Sequence, residues 1–400
     1  MIVFVTDELP RPGAAGHLAL NHAILSWLRA EGHDVTILLT GMRLTAPLER
    51  YDLARVMGPH VRGIASFAAA ATPRAAGRII LRTLLRRLPA PLASRLRRAR
   101  HRADAVLGKF PDQPDLRWCA RAAFRLKPQA VLIDTIFRAP LLAEPELEGM
   151  NTILIAHDVF HRRAEVLGAA GYEVSPQGLT RSRETKLLVS ARHIAAIQPE
   201  EAALLREMCP NANIFTAPMP ALPCPPPPDA KRVAGRLVFV GSDSLPNLDG
   251  LRWFFAEIWP DLRGHGVTLD LIGDCGPALR GLPPEVSVHG RVSNLAPLLH
   301  RAALAISPLR AGSGLKIKLL DYARHGLFTI ATPPSLQGFS ADAQSPFIIA
   351  ESAGGFATAI LRHMAAPPPE AALSYVSRHY GTESAFAGLR AALKPVSCGA

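Results

Sequence analysis

Residues 308–326 read PLRAGSGLKIKLLDYARHG and follow the apolar run LAISP at 304–308. A strand runs into a small-residue loop, and the loop opens a helix. Glycines in such a loop let the backbone approach a ligand closely. The first free N–H groups of a helix attract anions, phosphate above all. Arg310, Lys316 and Lys318 crowd positive charge around the turn. At roughly 100° per residue, Gly314, Lys318, Asp321 and His325 share one face, while Leu315, Leu319 and Ala323 form a separate apolar stripe. One face packs; the other carries a bare glycine, a cation and a carboxylate. That suits a ligand with phosphates and sugar hydroxyls. The competing reading is an ordinary βα turn capped by Ser313 with a solvated charged face, and the surrounding chain decides between them.

Outward from this stretch, RLVFVG (236–241), VTLDLIG (267–273), VSVHG (286–290), LAISP, FTIAT (328–332) and FIIAE (347–351) read as buried parallel strands. Helical patterns fall at 248–262, 295–303, 314–325 and 354–365. The alternation predicts a doubly wound α/β domain. Upstream lies PALPCPPPPDAKR (220–232), whose proline run rules out a helix or an interior strand and predicts a stiff connector. The first half repeats the βα logic. IVFVT (2–6) and DVTILLT (34–40) flank a helix that ends near Gly32, and strand patterns return at 129–134, 151–158, 193–198 and 213–218. The stretch 60–127 reads as helical and basic. The expected division is an N-terminal domain at 1–219, a linker at 220–232, a second domain at 233–375, and a helical tail at 376–400 that returns to the first domain. Two such domains in series are expected to bind ligands at a cleft between the carboxyl ends of their sheets.

With 400 residues the chain exceeds one core, and composition is ordinary for a globular protein. Five scattered cysteines without Cys/His ligand spacing argue against disulfides and structural zinc, so no metal site is expected. MIVFVTDELP reads as a first strand and not as a signal peptide. No apolar run is long enough to span a bilayer, and the expected setting is cytoplasmic. The net charge of +12 is uneven: ten arginines and no acid fall between Arg74 and Arg102. Arg78, Arg82 and Arg86 are spaced i, i+4, i+8 opposite Ile80, Leu81, Leu84, Leu85 and Leu88, a basic amphipathic helix of the kind that docks on anionic membrane. A solvated helix packed on its domain is the plainer alternative. Nucleic acid is not expected, because the segment has no aromatic residue for base stacking.

In chain order, GHDVTILLT after a Gly-containing loop, AHDV, AIQPEEAALL, VGSDSLPNLDGLRWF, VSVHGRVSNLAPLLHRA and PLRAGSGLKIKLLDYARHG resemble the retaining GT-B glycosyltransferases of family 4, the group 1 type. The resemblance implies a GT-B fold, transfer of a sugar from a UDP- or GDP-sugar to an acceptor hydroxyl with retention, and no required cofactor or metal. The implied partners are the nucleotide sugar, a glycan, lipid-linked or small-molecule acceptor, and an anionic membrane surface. The implied setting is bacterial polysaccharide, glycolipid or other glycoconjugate synthesis on the inner face of the membrane.

Placed on residues, the resemblance makes His157 the active-site histidine beside the transferred sugar, with Asp158 orienting it or capping the next helix. Gly16 belongs to the donor-facing loop, where Ala15-Gly16 stands for the family's usual glycine pair. Gly241, Ser242 and Asn247 line the pyrophosphate, and Val292 lies at the turn that accepts the base. Gly312, Ser313, Gly314, Leu315 and Asp321 contact sugar and ribose. Two departures stand out. Ser242 and Asn247 occupy positions where relatives carry phosphate-binding cations, so Arg310, Lys318 and Lys316 are expected to replace them, Lys318 in a catalytic role. Ser313 replaces the first of two acids spaced eight apart, while Asp321 keeps the second. The alternative is a catalytically degenerate nucleotide-sugar-binding or membrane-surface scaffold protein.

Overall fold

The computed structural model describes residues 1–12, 16–86, 105–169, 171–311, 316–339 and 344–394. The chain divides into two compact units, residues 1–219 with 386–400, and residues 220–385.

The first unit is built on a seven-stranded sheet. Its strands run Asn213–Thr216, His193–Ala196, Thr152–Ala156, Ala130–Asp134, Ile2–Glu8, Val35–Arg43 and Arg55–Met57 across the sheet. Every pairing is parallel. The sheet is doubly wound, and the strand order reverses between Ile2–Glu8 and Ala130–Asp134. Both central strands, Ala130–Asp134 and Thr152–Ala156, are buried at every position, which is why they read as apolar runs, broken only by Asp134 and Thr152 at their ends. Phe137, Phe160, Leu116 and Leu154 pack in the main core of this unit.

The helical reading of 60–127 is corrected. Helices occupy Pro73–Arg86 and Gln113–Leu126. Val61–Ile64 and Phe67–Ala70 instead form an antiparallel sheet with Leu48–Arg50. The FAAA run of Phe67–Ala70 has helix-favouring alanines, but Ala68 is fully buried by cross-strand packing, and tertiary burial overrides so weak a propensity.

The last helix, Thr382–Ala392, joins the first unit from Phe386 onward. Phe386 packs at a tilt against Trp27 with ring centroids 5.1 Å apart, and Arg390 pairs with Glu31 at 2.8 Å. Carbonyls at the end of this helix lack intrahelical donors. Asn151 donates to the Ala392 carbonyl at 2.9 Å and Gln129 to that of Leu393 at 2.6 Å.

The second unit has a six-stranded sheet in the order Val286–Gly290, Thr268–Ile272, Arg236–Val240, Leu304–Ser307, Thr329–Ala331, Phe347–Ile349. All its pairings are parallel too. The order reverses between Arg236–Val240 and Leu304–Ser307. The helix Leu245–Trp253 lies against the chain leaving Leu304–Ser307, and Gly250 makes this possible: a Cβ there would sit 2.5 Å from the Pro308 carbonyl oxygen. Buried hydroxyls fix the same backbone. Ser335 Oγ donates to the Ser307 carbonyl at 2.7 Å, and Thr332 Oγ1 donates to that of Leu309 at 2.5 Å.

The proline-rich segment 220–232 lies in this second unit and is tied to it by hydrogen bonds. Ala221 N–H donates to the Tyr380 carbonyl at 2.8 Å, Cys224 N–H to that of Arg324 at 2.6 Å, and Arg232 to that of Gly326 at 2.7 Å. Among the described residues, no helix is long and apolar enough to cross a membrane.

Candidate functional site

In open parallel sheets, ligands bind outside the carboxyl ends of strands where the order reverses. Each unit has polar groups gathered at that place.

In the first unit the group centres on Asp134, the last residue of its strand and fully buried. Thr6 Oγ1 donates to its Oδ2 at 2.8 Å. His157 Nε2 lies 2.9 Å from its Oδ1 and 3.1 Å from Asn21 Oδ1. Both contacts of Nε2 are acceptors, so Nε2 carries the proton and donates, leaving a neutral ring its lone pair on Nδ1. Burial by itself raises the Asp134 carboxyl, but the hydrogen bond and charge of His157, with Arg138 and His17, outweigh it and hold the group below the ordinary carboxylate range. Arg138 donates to the Asp134 carbonyl at 2.9 Å and to Thr135 Oγ1 at 2.9 Å, and pairs with Asp7 at 3.4 Å. Thr135 sits at φ 59°, a strained conformation for a β-branched residue, and it begins a short helix directly after the strand. His17 lies edge-on to His157 with ring centroids 5.6 Å apart, and burial pushes its own pKa down. Asn21 Nδ2 is buried without a partner among the described residues. A buried donor left so costs about 1–3 kcal/mol, which marks a place for a ligand oxygen or a water.

The residue that holds the His157 ring is therefore Asp134. Asp158 pairs with Arg163 at 2.7 Å. The helix Phe160–Ala169 that follows is held by Glu184, which accepts from the backbone N–H groups of Phe160 at 3.0 Å and His161 at 2.7 Å. Gly16 stands at the N-terminus of the helix His17–Ala30 with φ 61° and ψ −129°, and its missing Cβ would face open space. A glycine is needed there for the backbone. Its neighbour Ala15 lies outside the described residues.

In the second unit the gathering point is Lys318, on the helix Ile317–Arg324. Its ammonium donates to Asn247 Oδ1 at 2.9 Å and lies 4.0 Å from the Phe239 ring centroid. Burial, and next to it the like charge of Lys316, push its pKa down to about 7. Asn247 Nδ2 donates in turn to the Ser242 carbonyl at 3.1 Å. Gly241 has room for no side chain, since a Cβ would meet Phe239 at 2.6 Å and Asn247 at 3.0 Å. Tyr322, one turn beyond Lys318, is fully buried, and its hydroxyl accepts from Val240 N–H at 2.6 Å, pinning the helix to the end of the strand.

The other expected residues distribute unevenly. Ser242 is exposed, and Val292 is partly buried against the core cluster that includes Val238, Ile272 and Leu299. Arg310 is exposed and pairs loosely with Asp249 at 3.8 Å. Lys316 is the N-terminal cap position, so the described helix begins at Ile317 rather than at Gly314. Asp321 faces partly outward, 3.8 Å from Arg324, with burial pushing its carboxyl up against that charge. Gly312, Ser313, Gly314 and Leu315 lie outside the described residues. Arg78 is exposed on the helix Pro73–Arg86; the side chains of Arg82 and Arg86 are outside the description.

Sequence reasoning missed Asp134, Asn21 and Arg138. The usable signal was a buried strand ending in an acid, QAVLID, with an arginine four residues on.

Residues 234–366 match the family of glycosyl transferases group 1. The matched region contains Gly241, Asn247, Lys318 and Asp321. A glycosyltransferase from Rickettsia africae superposes with a TM-score of 0.64 at 12% identity, covering 100% of this chain and 99% of that one. The E. coli trehalose-6-phosphate structure bound with UDP-2-fluoro glucose gives a TM-score of 0.60 at 11% identity, over 99% of each chain. TarM gives a TM-score of 0.57 at 13% identity over 72% of this chain, and this chain spans only 59% of TarM. No curated protein matches the sequence. At these identities the structural likenesses establish the fold: the chain is a GT-B protein of two Rossmann-like units. The group 1 match over residues 234–366 supports sugar transfer.

Proposed function

We propose that the protein is a retaining glycosyltransferase of the family 4 type, moving a sugar from a UDP- or GDP-sugar to an acceptor hydroxyl. The observation that carries this reading is the position of Lys318. Its ammonium stands at Asn247, on the loop where relatives of the resembled family place a phosphate-binding cation. A departing nucleoside diphosphate needs compensating charge, and a desolvated lysine supplies it at short range. A nucleotide sugar bound to the E. coli structure, whose fold this chain shares, agrees with a donor of that class.

In this reading Gly241, Ser242 and Asn247 line the pyrophosphate. Lys318, with Lys316 and Arg310 nearby in sequence, neutralises it, and Asp321 accepts from the ribose hydroxyls. The base meets the backbone at Val292. Gly312 to Leu315 complete the donor loop, and Ser313 gives the sugar a neutral contact. In the first unit, Asp134 and Asn21 fix the His157 ring so that Nδ1 and the backbone at 157 are presented to the transferred sugar, with Gly16 close to donor atoms. The leaving phosphate takes the proton of the acceptor hydroxyl, so the new bond forms on the face from which the nucleotide departs. This chemistry uses no metal.

The acceptor is a glycan, lipid-linked or small hydroxyl compound of bacterial glycoconjugate synthesis. The helix Pro73–Arg86 exposes Ile80, Leu81 and Leu84 together with Arg78, and this favours docking on the inner face of an anionic membrane in an otherwise cytoplasmic protein.

The test is a calorimetric panel of UDP- and GDP-sugars with the full chain, followed by assay of nucleotide release without acceptor. A transferase binds one donor selectively and slowly releases its nucleoside diphosphate. Binding with no release, even with acceptor mixtures, makes the protein a sugar-nucleotide-binding scaffold instead.

A further inference from the structure

The proline-rich segment and the helix that carries Lys318 meet at three side chains that no element of the proposed transfer uses. Cys224 is half-buried on the segment. His300 lies in the last turn of the helix Ala296–Arg301, and His325 follows Ile317–Arg324 as its C-terminal cap; both are buried. Their ligating atoms, a sulfur and two imidazole nitrogens, all lie within 4.8 Å of one another. We infer that Cys224, His300 and His325 form a three-ligand site for a borderline-soft divalent cation, zinc above all, that fastens the 220–232 segment to the second unit.

The ligand chemistry selects the ion. One thiolate and two imidazoles form a Cys-His-His set, which suits zinc; magnesium and calcium demand oxygen. Bonds of about 2.0–2.1 Å to nitrogen and 2.3 Å to sulfur place tetrahedral ligand atoms about 3.3–3.6 Å apart. His325 Nδ1 and His300 Nε2 are now 2.9 Å apart. They must part slightly, and Sγ must close in, a change within reach of side-chain torsions. The backbone leading into Cys224 is already anchored: Cys224 N–H donates to the Arg324 carbonyl at 2.6 Å, and Arg324 Nε donates to the Leu222 carbonyl at 3.1 Å.

The protons can be followed. Without an ion, the His300 Nε2–H is shared between His325 Nδ1 at 2.9 Å and the Cys224 carbonyl at 3.1 Å. A neutral His325 ring offers the lone pair of its Nδ1, the atom that faces His300 Nε2. On binding, the thiol loses its proton to solvent and His300 shifts to the Nδ1–H tautomer, which frees both nitrogens for the ion. Arg324 and Arg232 lie near, and their positive charge opposes a bare dication, which the thiolate partly offsets. Water completes the fourth position. The three positions are separated by 76 and 25 residues, so no local spacing motif announces them.

The experiment uses the full chain purified without metal and titrated with cobalt(II), then zinc(II). One equivalent of cobalt should bind with tetrahedral absorption bands and a sulfur-to-cobalt charge-transfer band, and zinc should displace it. Cys224→Ser should remove the charge-transfer band, and His325→Ala should weaken cobalt binding at least about tenfold. Zinc should raise Tm in proportion to the logarithm of its free concentration, with reversal by chelator. A measurement without variants guards against misfolding: zinc should protect the Cys224 peptide from alkylation, read by mass spectrometry. The inference is overturned if no stoichiometric cobalt binds, if the charge-transfer band survives in Cys224→Ser, or if zinc leaves alkylation of Cys224 unchanged. None of these readouts depends on sugar transfer.

Discussion

Lys318 Nζ lies 2.9 Å from Asn247 Oδ1, although 71 residues separate them. The amide is a neutral partner, so it orients the ammonium without compensating its charge, and burial brings the amine down to about 7. In the proposed reading, a pyrophosphate arriving at this point supplies the opposite charge that the amide does not.

The first prediction follows by linkage. A bound anion raises the Lys318 pKa, so the protonated amine is favoured in the complex. Nucleoside diphosphate affinity should be full below about pH 7 and fall as pH rises through that value. Calorimetry near neutrality, in buffers of different ionisation enthalpy, should show proton uptake. Lys318→Ala should abolish the uptake and lower donor kcat/KM by about 10²–10³-fold. An unchanged kcat/KM would remove Lys318 from phosphate binding.

The second concerns Asp134. It orients His157 and touches no substrate in the proposed reading. Asp134→Asn should keep the fold of the second unit and its nucleotide Kd while lowering kcat by about 10²-fold, the scale of a misplaced reacting group. Loss of nucleotide affinity with unchanged turnover of bound donor would contradict the assignment.

The third concerns stability. Glu201 is buried near Asp158, its Oε2 has no partner among the described residues, and its carboxyl is raised from 4.5 to about 8, first by burial and then by Asp158. For an acid with a raised folded pKa, the folded state holds the proton longer. Stability contributed by this group therefore falls as pH rises from 4.5 to about 8 and stays lost above. Glu201→Gln should raise Tm at alkaline pH, by roughly 2–4 °C per kcal/mol recovered, and flatten the Tm profile across that window. A variant less stable than the parent at high pH would refute this.

The fourth is steric. Gly250→Ala gains up to about 1 kcal/mol of helix propensity but puts a methyl group 2.5 Å from the Pro308 carbonyl oxygen. Backbone cannot yield as a side-chain tip can, so overpacking of about 1–3 kcal/mol should win and thermal unfolding should move down. An increase in Tm would show that the two segments separate freely.

The fifth tests the exposed helix. Ile80→Asp with Leu84→Asp should abolish co-sedimentation with anionic vesicles. Arg78→Gln should weaken it about fivefold at low salt, the effect of about 1 kcal/mol per surface cation. Equal recovery of all forms with vesicles would mark the helix as merely solvated.

Much of the fold was readable because it is local. Runs such as AVLI (130–133) and ILIA (153–156) are apolar throughout, as strands covered on both faces tend to be, and their spacing from amphipathic segments sets the βα alternation. The group 1 resemblance was likewise legible as ordered motifs, and residues 234–366 match that family. The segment 48–70 was not, because alanine and short alternating runs state no strong preference and cross-strand burial chose the sheet. What only the tertiary structure decided was partnership. Which carboxylate holds His157, which amide orients Lys318, and that Cys224 meets His300 and His325 all depend on strand order and on the path of an irregular proline segment. Such contacts join residues tens of positions apart, and periodicity, which reports only which face a residue occupies, carries no information about what faces it.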